Sequence, residues 1–477
     1  MFKKTSSLVP WGFLVIDNKK IVIIGCSAGG GTAAQFARKT DRKATITIFE
    51  KGKYPQYSKC GLPYAISGEI PEFNHLIEFT KEWFEKEKIN LFLDTTVEHI
   101  DNQNKCVIIK KDNKEIKYEY DKLIIATGAK PLIPPIQNIL KKGELLEGVY
   151  TLRTLDDGKQ ISSQIKKNGK AIVVGAGLIG LEMASCLYNK GMEVSVIEAL
   201  PTILSGTIDE DMSKPIQKQI NEKITIYTNH LAMKAEERQG KIKSLVINNT
   251  ETNEEKQVHA DMVVLAVGTK PEVSLAENIG CTIGKTGGIV VNQQSETSVQ
   301  NVYAVGDCTE YTNFVTKDQV LVGLGSIVVR QGIAAGINAA GGQYTLPEGF
   351  LLTCTSEFFD IEIAAVGPVK NNCLTIPIVY GKMKGLSIPE YFPGGKEIAM
   401  KVGIHEETGK ILSAQAVGNN AAQRINTMAC AILNKVHVED FKKLETAYAP
   451  PIAPTLDVVT LVCDVASLKW KKMRKRL

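Results

Sequence analysis

The stretch Gln56-Tyr-Ser-Lys-Cys-Gly-Leu-Pro-Tyr64 sets a thiol, Cys60, directly after a cation, Lys59, and before a Gly-Leu-Pro turn. A turn of that composition at a helix start holds the side chain rigidly, and the helix terminus and Lys59 both favour the thiolate. A thiolate so placed is both a nucleophile toward disulfides and an acceptor of electrons.

Two other stretches carry the residue types that hold a dinucleotide. Residues 170–198 read as an apolar strand, Gly175, Gly177 and Gly180 in G-x-G-x-x-G spacing, a helix, and a second strand ending at Glu198. The glycines let backbone approach a pyrophosphate at the helix N-terminus, and the terminal carboxylate accepts hydrogen bonds from ribose hydroxyls. Residues 20–50 repeat the layout with Gly25, Ser27, Gly30 and Glu50 followed by Lys51; Ser27 replaces the middle glycine with a side chain still small enough to admit a phosphate. Behind the two units lie the paired segments "LIIATGAKP", containing Ala126, Thr127 and Gly128, and "VVLAVGTKP", containing Gly268. A later apolar strand runs into Gly306-Asp307.

Positioning these groups calls for an α/β chain with two Rossmann-like nucleotide-binding domains, followed from about residue 346 by short β-rich segments and helices. A chain of 477 residues with 44% hydrophobic content can bury several cores. No apolar run approaches the roughly 18 residues that span a bilayer, and Leu8 to Ile16 is broken by Pro10 and Gly12 without a cleavage site. The ten cysteines show neither C-x-x-C pairs nor metal-ligand spacing with histidine, which speaks against a disulfide scaffold or a structural metal and for a reducing cytoplasm. The net charge of +5 arises from the last nine residues, which hold six Lys or Arg; the remainder is close to neutral, so no nucleic-acid partner is expected.

Over roughly residues 20–465 the chain resembles the flavin-dependent pyridine nucleotide-disulfide oxidoreductases. The resemblance implies FAD on the first unit, with Glu50 at the adenosine ribose and Asp307 at the ribityl chain. It implies a nicotinamide nucleotide on the second, with Glu198 at the ribose. Ala199, Leu200 and Pro201 follow Glu198 with no arginine to clamp a 2′-phosphate, so NADH is favoured over NADPH. Two-cysteine relatives have a second cysteine five positions on, where this chain has Ala65; the motif is similar to the single-cysteine branch of coenzyme A-disulfide reductases, persulfide or polysulfide reductases, and NADH oxidases and peroxidases. Peroxidases and many oxidases of that branch carry a histidine in the first glycine loop where Ala28 stands here, which points to the disulfide reductases.

The same resemblance assigns Tyr448 and Tyr391 as acids near Cys60 of a partner subunit in a homodimer. It assigns Arg38, Lys39 and Lys59 to a substrate such as coenzyme A disulfide or a persulfide. The segments expected are 1–19 as an extension, 20–155 and 271–345 as a split FAD domain, 156–270 as the NAD(P)H domain, 346–468 as an α+β dimerisation domain, and 469–477 as a basic tail. Reduction of oxygen and a redox-sensing module recruited through that tail are the alternatives.

Overall fold

The computed structural model describes residues 18–111, 114–321, 323–370 and 375–475, so the N-terminal extension with its Leu8–Ile16 run lies almost wholly outside the described residues. The β-branched runs Lys20–Ile24 and Thr45–Phe49 become neighbouring parallel strands, buried on both faces as the centre of such a sheet must be. They belong to a five-stranded parallel sheet in the order Val302–Ala304, Lys122–Ile125, Lys20–Ile24, Thr45–Phe49, Ile89–Phe92. The strand before Gly306-Asp307 thus completes a sheet begun at Lys20, and the first nucleotide-binding domain is discontinuous.

A second parallel sheet repeats the plan in the order Val149–Thr151, Met262–Leu265, Lys170–Val174, Glu193–Ile197, Thr225–Tyr227. Its edge strand corrects the expected boundary at 155: Val149, Tyr150 and Thr151 pair with Val263, Val264 and Leu265 and so belong to the second sheet. The paired sequence segments meet physically, because Ala129–Pro131 and Thr269–Pro271 form an antiparallel ribbon between the two units.

The helix Gly325–Ala339 returns to the first unit and crosses the glycine-loop helix Ala28–Thr40 along small residues. An added Cβ on Gly336 would stand 2.3 Å from the Ala33 carbonyl oxygen, a contact only glycine permits.

The C-terminal unit is an antiparallel sheet, Cys354–Phe358, Ile361–Val366, Ile411–Gly418, Glu397–His405, Ile378–Leu386, with helices Ala421–Leu433 and Val458–Arg474 packed on it through Ile425, Met428, Val462 and Ala466. Lys401, with a side chain 9% exposed, ties this unit to the second by ion pairs to Asp209 (2.7 Å) and Asp211 (2.6 Å).

The boundary at 468 is also corrected. Helix Val458–Arg474 continues through it, because Trp470 Nε1 donates to the Glu406 carbonyl and Lys471 pairs with Glu439. Most of the basic tail is therefore a packed helix end. No helix among the described residues is long and apolar enough to cross a membrane.

Candidate functional site

The two glycine loops have the same backbone. Gly25 and Gly175 take φ of +103° and +104°, the left-handed region that favours glycine. The middle positions are extended, Ser27 at φ −73° and ψ −170° and Gly177 at φ −76° and ψ −173°, which explains why a serine is allowed there. The third glycine is required by close approach: a Cβ on Gly30 would fall 1.9 Å from the Gly25 carbonyl oxygen, and one on Gly180 2.0 Å from that of Gly175.

The terminal acids repeat each other too. Glu50 accepts from the N–H groups of Cys26 and Gly52, both at 2.7 Å, and Glu198 from those of Ala176 (2.7 Å) and Leu200 (2.9 Å). Each carboxylate therefore braces its own glycine loop from the end of the next strand.

Against the first loop lies a cavity of about 650 Å³. Its walls bring together Gly25, Ser27, Glu50 and Lys51 with Ala126, Thr127 and Gly128, and with Gly306 and Asp307 from the second segment of the domain. Thr127 is fixed by donating its hydroxyl to the Glu272 carbonyl (2.6 Å). Cys60 and Lys59 line the same cavity, in a 3-10 turn that leads into the helix Leu62–Ser67 with Pro63 in its first turn. Cys60 is exposed, whereas Gly30, Gly268, Arg38, Lys39, Tyr391 and Tyr448 are not part of the wall.

The electrostatics of Cys60 correct the expectation of a lowered thiol. Although the side chain is open to the cavity, the protein packed around its sulfur strips enough water to push it up, Glu182 and Asp307 add to the rise, and Arg153 and Lys59 only partly offset it. Lys59 itself is lowered to about 8, by burial first and then by Arg153.

Arg38 is a second correction. It is 6% exposed, and its guanidinium donates to the carbonyls of Asp41, Arg42, Ala44, Glu87 and Lys88, which leaves it no face for a phosphate. Lys39 is exposed, with its ammonium 4.5 Å from the centre of the Phe36 ring.

Tyr391 and Tyr448 come together although 57 residues apart, with hydroxyls 2.7 Å from each other. That hydrogen bond holds the Tyr391 hydroxyl above its usual range. The two rings are 71% and 47% exposed, and Ile452 and Leu456, just beyond Tyr448, are 73% and 62% exposed.

Three further residues near the cavity had no assigned role, although Gln56 stands within the Cys60 motif. Arg153 pairs with Asp307 at 2.7 Å, Gln56 is 4% exposed, and Glu182 lies close enough to Cys60 to act on its thiol. Glu182 is marked in the sequence only as the one charged residue of the helix Leu178–Asn189, two positions after Gly180.

The arrangement fits FAD. The loop forms a cradle that a Cβ would fill, and two buried polar atoms on the cavity wall, Gln56 Oε1 and Arg153 Nε, have no hydrogen-bond partner among the described residues. Near Gly177 an added Cβ would meet nothing within 4 Å, which leaves the second loop open to a pyrophosphate.

Residues 19–334 match the family model described as pyridine nucleotide-disulphide oxidoreductase, and residues 354–458 match the dimerisation domain of the same family. A protein of Methanocaldococcus jannaschii named NADH oxidase is 38% identical over 94% of this chain and 99% of its own length. A protein of Pyrococcus furiosus named NAD(P)H sulfur oxidoreductase (CoA-dependent) is 31% identical over 94% of this chain and 99% of its own. Among solved structures, an NAD-dependent persulfide reductase from A. fulgidus superposes with a TM-score of 0.90 at 32% identity, covering 95% of this chain and 84% of that one.

Proposed function

Because this chain belongs to the pyridine nucleotide-disulphide oxidoreductase family, flavoproteins that use FAD and NAD(P)H, we propose that it passes reducing equivalents from NADH to Cys60 and thence to a low-molecular-weight disulfide or persulfide. The supporting observation is the position of Cys60, exposed on the wall of a cavity that both segments of the split FAD domain build.

Gly25, Ser27 and Gly30 shape the loop for the FAD pyrophosphate, Glu50 and Lys51 hold the adenosine end, Ala126 to Gly128 flank it, and Gly306-Asp307 meets the ribityl chain. Gly175, Gly177, Gly180 and Gly268 make room for NADH, with Glu198 at its ribose. When bound, the flavin supplies the two-electron carrier between nicotinamide and sulfur.

The chain's own chemistry is thiol-disulfide exchange. The Cys60 thiolate attacks one sulfur of the substrate, a new S–S bond forms at Cys60, and the other sulfur leaves as a thiolate. Tyr448 or Tyr391, reaching the site of a partner subunit in a homodimer, protonates that leaving sulfur. Two electrons from NADH then cleave the mixed disulfide and restore Cys60. Coenzyme A disulfide is the favoured substrate on the name of a Staphylococcus aureus relative, coenzyme A disulfide reductase, which is 29% identical over 93% of this chain, with Lys39 available to a phosphate and Lys59 beside the thiol. A reducing cytoplasm suits a thiol that must stay free.

The name of the M. jannaschii relative favours a second reading, direct reduction of oxygen. Ala28 on the cavity wall offers no acid or base for that chemistry. The two readings separate in Cys60→Ser loaded with FAD: NADH oxidation driven by coenzyme A disulfide is lost while oxygen consumption persists. A variant that kept full disulfide-driven turnover would overturn the proposal.

A further inference from the structure

The helix Gly325–Ala339 grips both parts of the first nucleotide site from two neighbouring positions. Gly332 lets it press on the first glycine loop, since a Cβ there would stand 2.6 Å from the Gly29 carbonyl oxygen. One residue earlier, Gln331 is turned inward, with 1% of its surface exposed. Its side-chain oxygen accepts from the Gly306 N–H at 2.8 Å, and its amide nitrogen donates to the Thr309 hydroxyl at 3.2 Å. The Thr309 hydroxyl donates in turn to the Gly306 carbonyl at 2.8 Å, and the Thr309 N–H donates to the same oxygen at 2.9 Å. Both polar groups of the Gly306 backbone are thereby held, the N–H by Gln331 itself and the carbonyl by a hydroxyl that Gln331 orients.

We propose that Gln331 is a positioning residue for FAD: it locks the Gly306-Asp307 turn at a fixed distance from the first glycine loop, so that the ribityl and pyrophosphate walls are in register before the cofactor arrives. Neither Gln331 nor Thr309 lines the cavity, whereas Gly325 and Val328 of the same helix do. Gln331 therefore acts on the cofactor only through the turn.

The turn needs such a brace. Gly306 has φ of +87°, a conformation that glycine enters freely and leaves as freely. On one side the chain is anchored, because the Val305 N–H donates to the Ile125 carbonyl at 2.9 Å. On the other, the Asp307 carboxylate is drawn to Arg153 at 2.7 Å. Which way the intervening peptide faces is set by the bonds to Gln331 and Thr309. A residue that merely filled this space would be apolar, since a buried carboxamide is costly unless its groups are bonded; here both are bonded, and both to one turn. With leucine in its place the Gly306 N–H is left buried without a partner. A turn that then keeps its binding shape about a tenth of the time weakens FAD binding about tenfold.

The inference rests on the reading in which Gly306-Asp307 meets the ribityl chain, and its test follows flavin release from the FAD-loaded enzyme. Free-flavin fluorescence after dilution, well below the unfolding temperature, gives the dissociation rate; denaturant unfolding followed by circular dichroism gives the stability of the same proteins. Gln331→Leu should release FAD about tenfold faster. Thr309→Val keeps the volume and removes the hydroxyl, so it should also speed release, whereas Thr309→Ser restores the hydroxyl and should behave like the unmodified enzyme. If Gln331→Leu does not fold, the two Thr309 variants decide the question. Release rates that stay unchanged while only denaturant stability falls would overturn the proposal, because Gln331 would then be a packing residue. Asp307→Asn separates the underlying reading: unchanged release from that variant together with faster release from Gln331→Leu would end the assignment of Asp307 to the ribityl chain and leave the positioning role of Gln331 standing.

Discussion

Gly177 and Gly180 lie three residues apart in one loop, yet an alanine should do opposite things at the two. At Gly177 the backbone is extended, with φ −76°, and nothing lies within 4 Å of the carbon that alanine would add. Folding therefore loses nothing, and restriction of the unfolded chain adds roughly 0.4–1 kcal/mol of stability. The new methyl stands where a pyrophosphate would approach. Ser27 occupies the matching place in the first loop with the same dihedrals, so an extra atom or two is tolerable and the cost to NADH is of order 1–2 kcal/mol, about 5- to 30-fold in dissociation constant.

At Gly180 the added carbon would fall 2.0 Å from the Gly175 carbonyl oxygen. That atom is backbone and cannot rotate away, so overpacking costs about 1–3 kcal/mol. The assay pairs thermal unfolding of the FAD-loaded protein with anaerobic NADH titration. Gly177→Ala should melt no lower than the unmodified protein and bind NADH more weakly; Gly180→Ala should melt several degrees lower. Unchanged NADH affinity in Gly177→Ala, or a greater loss of stability there than in Gly180→Ala, would refute the reasoning.

Arg38→Met strips donors from five carbonyls and should cost about 3 kcal/mol or more, measured by chemical denaturation, with no change in the KM for coenzyme A disulfide. Lys59→Met should be the more stable protein near neutrality. Burial lowers Lys59 from 10.5 to about 8, so the folded state resists protonation: the penalty is full below about pH 8 and fades as pH rises toward 10.5. The advantage of Lys59→Met over the unmodified protein should shrink across that window in denaturant melts taken at successive pH values. Lys401→Met leaves Asp209, 7% exposed, without its buried ammonium and should destabilise by about 3–5 kcal/mol, whereas Lys384→Met, whose pair with Glu397 is exposed, should change stability by less than about 1 kcal/mol.

Local signals carried most of the fold. Glycines at fixed spacing, the terminal acids Glu50 and Glu198, and the matched turns at Gly128 and Gly268 are short-range patterns, and each dictates a backbone shape that the structure contains. What the sequence hid depends on distant chain segments. Arg38 reads as a solvated helix end, and only the return of residues 87 and 88 buries it. The strand Val149–Thr151 looks continuous with what precedes it, and its allegiance is decided by Val263 to Leu265 more than a hundred residues later. Arg153 and Glu182 belong to no spacing pattern; their places near Asp307 and Cys60 emerge only when distant stretches of the chain fold together. The rise at Cys60 has the same origin, because burial leads it and distant Glu182 and Asp307 add to it, whereas sequence proximity shows only Lys59 beside the thiol.

The central claim is that Cys60 carries the substrate as a mixed disulfide that NADH can discharge. Intact-protein and peptide mass spectrometry of the FAD-loaded enzyme after anaerobic incubation with coenzyme A disulfide tests it most directly. The account predicts one coenzyme A adduct on the peptide containing Cys60, removed on adding NADH. An adduct confined to Cys430, the other exposed cysteine among the described residues, or a Cys60 adduct that NADH leaves in place, would contradict it.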